Sequence, residues 1–325
     1  MGELLRRFLV VLLIFIAVIY LWNASWRGAP PADSLLRLIA HRGVHQTYSR
    51  ENLTNDTCTA ERISPPTHDF FENTIASMRA AFAAGADIVE LDVHPTTDGK
   101  FAVFHDWTLD CRTEGKGVVR EQALAHLRSL DIGYGYTANG GKTFPLRGKG
   151  KGLMPEFQEV LAAFPNGRFL VNFKSNEERE GEMLGDLVAT HPEWRAQIWG
   201  AYGGDAPTFK AGARLRGLKV WSRRGLTQCL IRYIALGWTG HVPEACRNTM
   251  VMIPINAAPW LWGWPNLFQQ RMRDAGSEII LLGPYGAGDP GTAGIDTAED
   301  FERVPAGFSG YVWTNRIELI GQLKR

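Results

Sequence analysis

Short apolar segments, many followed by a helix-like stretch, recur from Leu36 to Thr314, and this alternation limits the fold more than any other feature of the chain. The strand candidates are Leu36–Ala40, Ile88–Val93, Phe101–His105, Phe169–Lys174, Gln197–Tyr202, Leu218–Ser222, Met250–Ile255, Glu278–Leu282 and Gly310–Thr314. They are short, apolar and often β-branched, as strands buried on both faces are. Helical patterns lie between many of them: Thr74–Ala84 after a capping Asn73, Pro155–Phe164, Glu178–Ala189, Leu226–Leu236 and Pro265–Ala275. Repeated strand-then-helix units imply a parallel sheet, and about eight of them imply closure. The expected class is therefore α/β, a TIM-type (β/α)8 barrel. One pair breaks the repeat. Only Thr96-Thr97-Asp98-Gly99 separates Ile88–Val93 from Phe101–His105, which signals a turn rather than a helical crossover.

Polar groups sit at the ends of these strands. His41 follows Leu38-Ile39-Ala40, and His105-Asp106 follows Phe101-Ala102-Val103-Phe104. Glu90 and Asp92 lie two apart, so they face one side of their strand. Two carboxylates on one face suit a hard divalent cation, and two flanking histidines suit acid and base. Barrel chemistry sits at the C-terminal rim of the strands, where His41, Glu90, Asp92 and Lys174 all fall. His94 shares the face of Asp92 if the strand continues, but Pro95 is expected to end it. Asp106 either orients His105 or caps the next segment.

The N-terminus is apolar from Phe8 to Trp22 behind Arg6-Arg7. That run falls short of the roughly 20 residues of a spanning helix and reaches the upper limit of a signal-peptide core. It reads as a signal anchor, with a cleaved signal or a buried helix as the other readings. Residues 1–33 are taken as anchor and linker, and 34–325 as the barrel domain. Both arginines stay cytoplasmic by the positive-inside tendency, so the domain is expected outside the cytoplasm. The four cysteines form a near pair, Cys229 and Cys246, and a separated pair, Cys58 and Cys111. An oxidising compartment permits both to bridge; free buried thiols are the alternative. Net charge is +1, which gives no electrostatic case for nucleic acid. Trp260, Trp262 and Trp264 either meet lipid headgroups or pack under the next helix.

Several stretches together resemble the glycerophosphodiester phosphodiesterase family. They are Ile39-Ala40-His41-Arg42-Gly43, Glu72-Asn73-Thr74, Gly85 through Val93, Thr97-Asp98-Gly99, Val103-Phe104-His105-Asp106 and Val312-Trp313-Thr314-Asn315. The resemblance implies a TIM-type barrel and metal-dependent hydrolysis of phosphodiesters to sn-glycerol 3-phosphate and an alcohol. It implies His41 and His105 as acid and base, and Glu90, Asp92 and Glu72 at a Ca2+ or Mg2+ ion. Arg42 and Lys174 would bind the phosphate. Asn172 stands where the family usually has a third acidic ligand, so it can offer only a carbonyl oxygen. Residues 44–71 form an insertion on the expected catalytic rim, where loops tune substrate choice. Phe71 stands where proline is usual. Two other readings remain: a lysophospholipase D acting on membrane lysophospholipids, and a weakened lipid- or phosphate-binding homologue.

Overall fold

The computed structural model describes residues 2–29, 35–54, 56–286 and 293–324. Of the expected linker, Gly28–Asp33, residues Pro30–Asp33 lie outside the described residues. Nine strands form one sheet: β1 (Arg37–His41), β2 (Ile88–Pro95), β3 (Phe101–Val103), β4 (Phe169–Phe173), β5 (Ile198–Gly203), β6 (Lys219–Ser222), β7 (Met250–Pro254), β8 (Glu278–Leu282) and β9 (Tyr311–Thr314). Eight run parallel in the order β6-β5-β4-β2-β1-β9-β8-β7. A parallel bridge from Val220 to Thr249 joins the two ends, so the sheet closes into the expected barrel. β3 stands off this path and pairs antiparallel with β2. Gly99, at φ 75°, makes the turn between them. This pairing carries β2 past Val93 to Pro95, opposite Phe101, where the strand ends as expected. His94 is consequently buried in it.

The helices are α1 (Gly2–Trp22), α2 (Ile75–Ala83), α3 (Leu124–Ser129), α4 (Phe157–Ala163), α5 (Glu178–Thr190), α6 (Asp205–Arg214), α7 (Arg223–Leu236), α8 (Asn266–Asp274), α9 (Ala298–Glu302) and α10 (Ile317–Ile320). The cap of α2 differs from expectation. Thr74 Oγ1 accepts the Ser77 N–H, while Asn73 takes a left-handed φ of 61° and turns its side chain to Asp92. α1 is continuous over 21 residues, starting ahead of Arg6 and Arg7, so it is long and apolar enough to cross a membrane. A signal sequence would have the same character.

Apolar burial is divided into three clusters. Ile39, Ile88, Leu170, Met252, Ile280 and Trp313 belong to a cluster drawn from strands around the barrel. A larger cluster packs the outer strand faces against the helices. A third cluster joins the insertion, through Ala60, Ile63 and Phe71, to residues 102–154, through Phe104, Leu127 and Met154. The Cys58–Cys111 disulfide ties these two segments together, and Cys229–Cys246 ties α7 to the approach to β7. Both expected bridges are present. By loop length they stabilise by about 4 and about 3 kcal/mol.

Candidate active site

Every strand-end residue singled out above converges on one mouth of the barrel. β1 places His41 beside Glu90, its register partner on β2. β2 places Asp92 beside Asn172 of β4 in the same way. The chain then turns sharply at Arg42, whose φ of 59° is left-handed and strained for a side-chain residue. Three bonds hold that turn. Arg42 N–H donates to Glu90 O at 3.0 Å, Asn73 N–H to Arg42 O at 3.0 Å, and Ser77 Oγ to Arg42 O at 3.1 Å. Gly43 follows at φ 79°, where a Cβ would lie on the Ser77 hydroxyl.

The two histidines have different partners. His41 Nδ1 lies 2.6 Å from Asn315 Oδ1. Asn315 gives its Nδ2 and backbone N–H to Asp296 at 2.8 and 2.6 Å, which leaves its oxygen to accept from the ring. The proton of neutral His41 is thus on Nδ1, and bare Nε2 stands 3.8 Å from Glu90 Oε2. His105 Nδ1 instead meets a carboxylate, Asp106 Oδ1, at 2.7 Å. Asp106 therefore orients His105, one of the two roles expected of it. Burial, then Arg42, holds His41 well below 6.5. Burial, Arg42 and Lys174 lower His105.

The carboxylates divide into ionised and neutral. Asp92 is fully buried, and both its oxygens are taken. Oδ1 accepts from Asn172 Nδ2 at 2.8 Å and lies 3.4 Å from Lys174 Nζ. Oδ2 accepts from Asn73 Nδ2 at 2.9 Å and lies 3.2 Å from Arg42 Nε. Burial opposes its charge, but Lys174 and Arg42 outweigh burial and hold Asp92 far below its ordinary range. Glu72 Oε1 lies 3.2 Å from Arg42 and 3.3 Å from Arg112, which likewise lower it against burial. No Lys or Arg among the described residues pairs directly with Glu90, and Arg42 and Lys174 lower it only in part. Tyr202 donates to Oε1 at 2.6 Å, and burial with Asp92 pushes Glu90 up to about 8. Its Oε2 is buried without a hydrogen-bond partner.

Among the described residues, no group of three or more His, Cys, Asp or Glu is set as a ready cation cage. The unpartnered Glu90 oxygen beside an ionised Asp92 nevertheless fits a divalent cation, because it marks a buried site short of positive charge. Glu90 and the amide oxygen of Asn172 would hold it, with Glu72 and Asp92 adjacent.

The geometry adds residues that the sequence reading missed. Arg112 bonds Asp106, Glu72, Thr59 and Tyr136. Asp296 sets Asn315, and Tyr202 and Asn73 fix the two β2 carboxylates. His45 comes from the insertion. Its ring centre lies 6.3 Å from that of His41, and its Nε2 is buried without a partner. Asn73 and Asn315 carried a signal, each as a member of a quoted motif. The tryptophans divide: Trp264 packs against Phe268 and Phe308, Trp262 is half-buried, and Trp260 is exposed.

Residues 41–189 match the glycerophosphoryl diester phosphodiesterase family. Over that stretch the chain is similar to this family. Among family relatives, a glycerophosphodiester phosphodiesterase of Caldanaerobacter subterraneus is 38% identical over 32% of this chain and 39% of its own. One from Bacillus subtilis is 35% identical over 37% of this chain and 40% of its own. The match thus spans about two fifths of these relatives. Likeness of fold extends further along the chain. The phosphodiesterase domain of a Mycobacterium tuberculosis protein superposes with a TM-score of 0.61 at 17% identity, covering 90% of this chain and all of that one. A phosphodiesterase of Oleispira antarctica, solved with the product sn-glycerol-3-phosphate, gives 0.51 at 17% identity over 87% and 94% of the two chains.

Proposed function

We propose that this protein hydrolyses glycerophosphodiesters to sn-glycerol 3-phosphate and an alcohol. One observation carries the reading most: two histidines of different character, buried His41 and half-buried His105, share the barrel mouth with an unpartnered carboxylate oxygen that His41 faces, with Arg42 and Lys174 alongside. His41 leans on a neutral amide and presents a bare Nε2, so it acts as the base. His105 leans on an ionised carboxylate, which supports its imidazolium against the lowering by burial, Arg42 and Lys174, so of the two it acts as the acid. His41 takes the proton from the attacking oxygen as that oxygen bonds to phosphorus. The phosphorus–oxygen bond to the alcohol breaks, and His105 protonates the leaving oxygen. The attacker is water or, as the family resemblance suggests, the neighbouring glycerol hydroxyl, whose cyclic product water then opens. Arg42 and Lys174 counter the phosphate charge. A Ca2+ or Mg2+ ion would supply charge neutralisation and polarise the phosphorus–oxygen bonds.

We further propose that residues 34–325 form the catalytic domain, and that residues 1–33 tether it to a membrane, outside the cytoplasm. The 21-residue apolar helix and the two disulfides support this. Soluble glycerophosphocholine should be cleaved faster than lysophosphatidylcholine in a divalent-cation screen of the full chain. A strong preference for the acyl-bearing substrate would sink the small-molecule reading and favour the lysophospholipase D.

Asn172 sets the cation's expected strength. Its Nδ2 donates to Asp92 at 2.8 Å, so Asn172→Asp puts carboxylate against carboxylate. The variant should melt lower than wild type without a divalent cation, and should bind the cation about tenfold or more tighter. Melting curves across a cation titration check this. An unchanged cation dependence would remove position 172 from the ligand set.

A further inference from the structure

Among the described residues, one face of the C-terminal half of α7 is apolar and exposed. Ile231 is 63% exposed, Ile234 51% and Trp238, just beyond the helix, 37%. Scattered exposed apolar residues are ordinary, but a contiguous group is not. Tyr233 and Cys229 bury the opposite side, and residues 223–241 contain no Asp or Glu. Trp262 Nε1 donates to Ile234 O at 2.8 Å, which fastens the loop carrying Trp260, 80% exposed, to the same end of α7.

What lies next to this group indicates what covers it. The C-terminal end of α1 is bonded to it: Asn23 Nδ2 donates to Trp238 O at 2.8 Å and Trp22 Nε1 to Thr239 O at 3.3 Å. Arg271 donates to Asn23 Oδ1 at 3.0 Å, and Asn266 N–H to Ser25 Oγ at 3.1 Å. α1 is therefore not free to swing on this side. Its end carries exposed Tyr20, Trp22 and Trp26, the residue types that sit at the headgroup level of a bilayer. The Trp238 ring meets Phe15 at 6.4 Å between centres. Phe15 lies seven residues before Trp22, roughly 10 Å deeper along the helix axis. If Trp22 stands at the headgroups, Trp238 reaches below them.

We propose that the α7 end, with Ile231, Ile234 and Trp238, is a lipid-facing surface that seats the barrel in the outer part of the bilayer beside its own tether. This rests on the reading that α1 spans the membrane. Exposed Arg232 lies among these apolar residues and can snorkel to lipid phosphates. The barrel is then held in one orientation rather than swinging on a linker.

The test uses the full chain reconstituted in phosphatidylcholine–phosphatidylglycerol vesicles, with the photoreactive residue benzoylphenylalanine placed singly at Ile231, Ile234, Leu12 of α1, or exposed Lys142. After irradiation, intact mass should show lipid adducts at 231 and 234 in yields comparable to position 12, and none at 142. Adducts at 12 without adducts at 231 or 234 would overturn the proposal while leaving the tether intact. Equal labelling at 142 would overturn it as well. No adduct at any position would remove the membrane reading itself, and the proposal with it.

Discussion

His41→Ala is expected to lower kcat for glycerophosphocholine by about 10²–10⁴-fold, with little change in melting temperature. His41 Nε2 is the bare nitrogen facing Glu90, and its proton is fixed on Nδ1 by the chain Asp296, Asn315, His41. Asn315→Leu should act in the same direction through loss of that orientation, while leaving KM nearly unchanged. The pH profile follows from the same burial. Because His41 is held well below 6.5, it stays neutral through the neutral range, and the acid limb that it controls lies below 6.5. Steady-state kinetics across pH, beside thermal melts of each variant, check all three statements. A His41→Ala enzyme with wild-type turnover would end the two-histidine scheme. A wild-type protein with no turnover on any phosphodiester would instead favour the binding-only homologue.

The largest effect on stability is expected at Arg112. Its buried guanidinium faces two carboxylates, half-buried Asp106 at 2.8 Å and buried Glu72 at 3.3 Å, and donates to Thr59 at 2.7 Å. Arg112→Leu leaves both carboxylates without this cation, at a cost of about 3–5 kcal/mol, or roughly 10 °C in Tm. Asp106 then loses the charge that chiefly keeps it ionised against burial, so His105 loses its anionic partner. Activity should fall together with stability, and Arg112→Lys should recover part of each. If Glu72→Gln is added to Arg112→Leu, some of the lost stability should return, because one stranded charge is gone. A melting temperature within a degree or two of wild type for Arg112→Leu would show that this network does not hold the site together.

The strands were legible because each is a short apolar run bounded by polar residues, and the structure reproduces all nine within two residues. α6 was not read as a helix. It is polar and carries Pro207, and it is stabilised by packing against α5 rather than by its own pattern. α1 was read as too short because Arg6 and Arg7 seemed to bound it, whereas an exposed helix carries charges through its first turns at little cost. In the site, His41, Glu90, Asp92 and His105 were visible because alternation along a strand fixes which side chains point together. Arg112, Asp296, Tyr202 and His45 were not, since each arrives from a different segment and only closure of the barrel and its insertion brings it near. Asn73 was misread as a cap because an Asn before a helix is usually one. Here its side chain satisfies Asp92 instead, and the neighbouring Thr74 does the capping.

The Cys58–Cys111 bond has a consequence for anyone exchanging parts among relatives of this protein. It welds the insertion to the strip bearing Arg112, so the two are one transplantable cassette rather than two. A chimera that swaps residues 44–71 alone would sever the weld, unseat Thr59 from Arg112 and perturb both histidines' surroundings at once. Grafts are therefore expected to succeed only when both halves travel together.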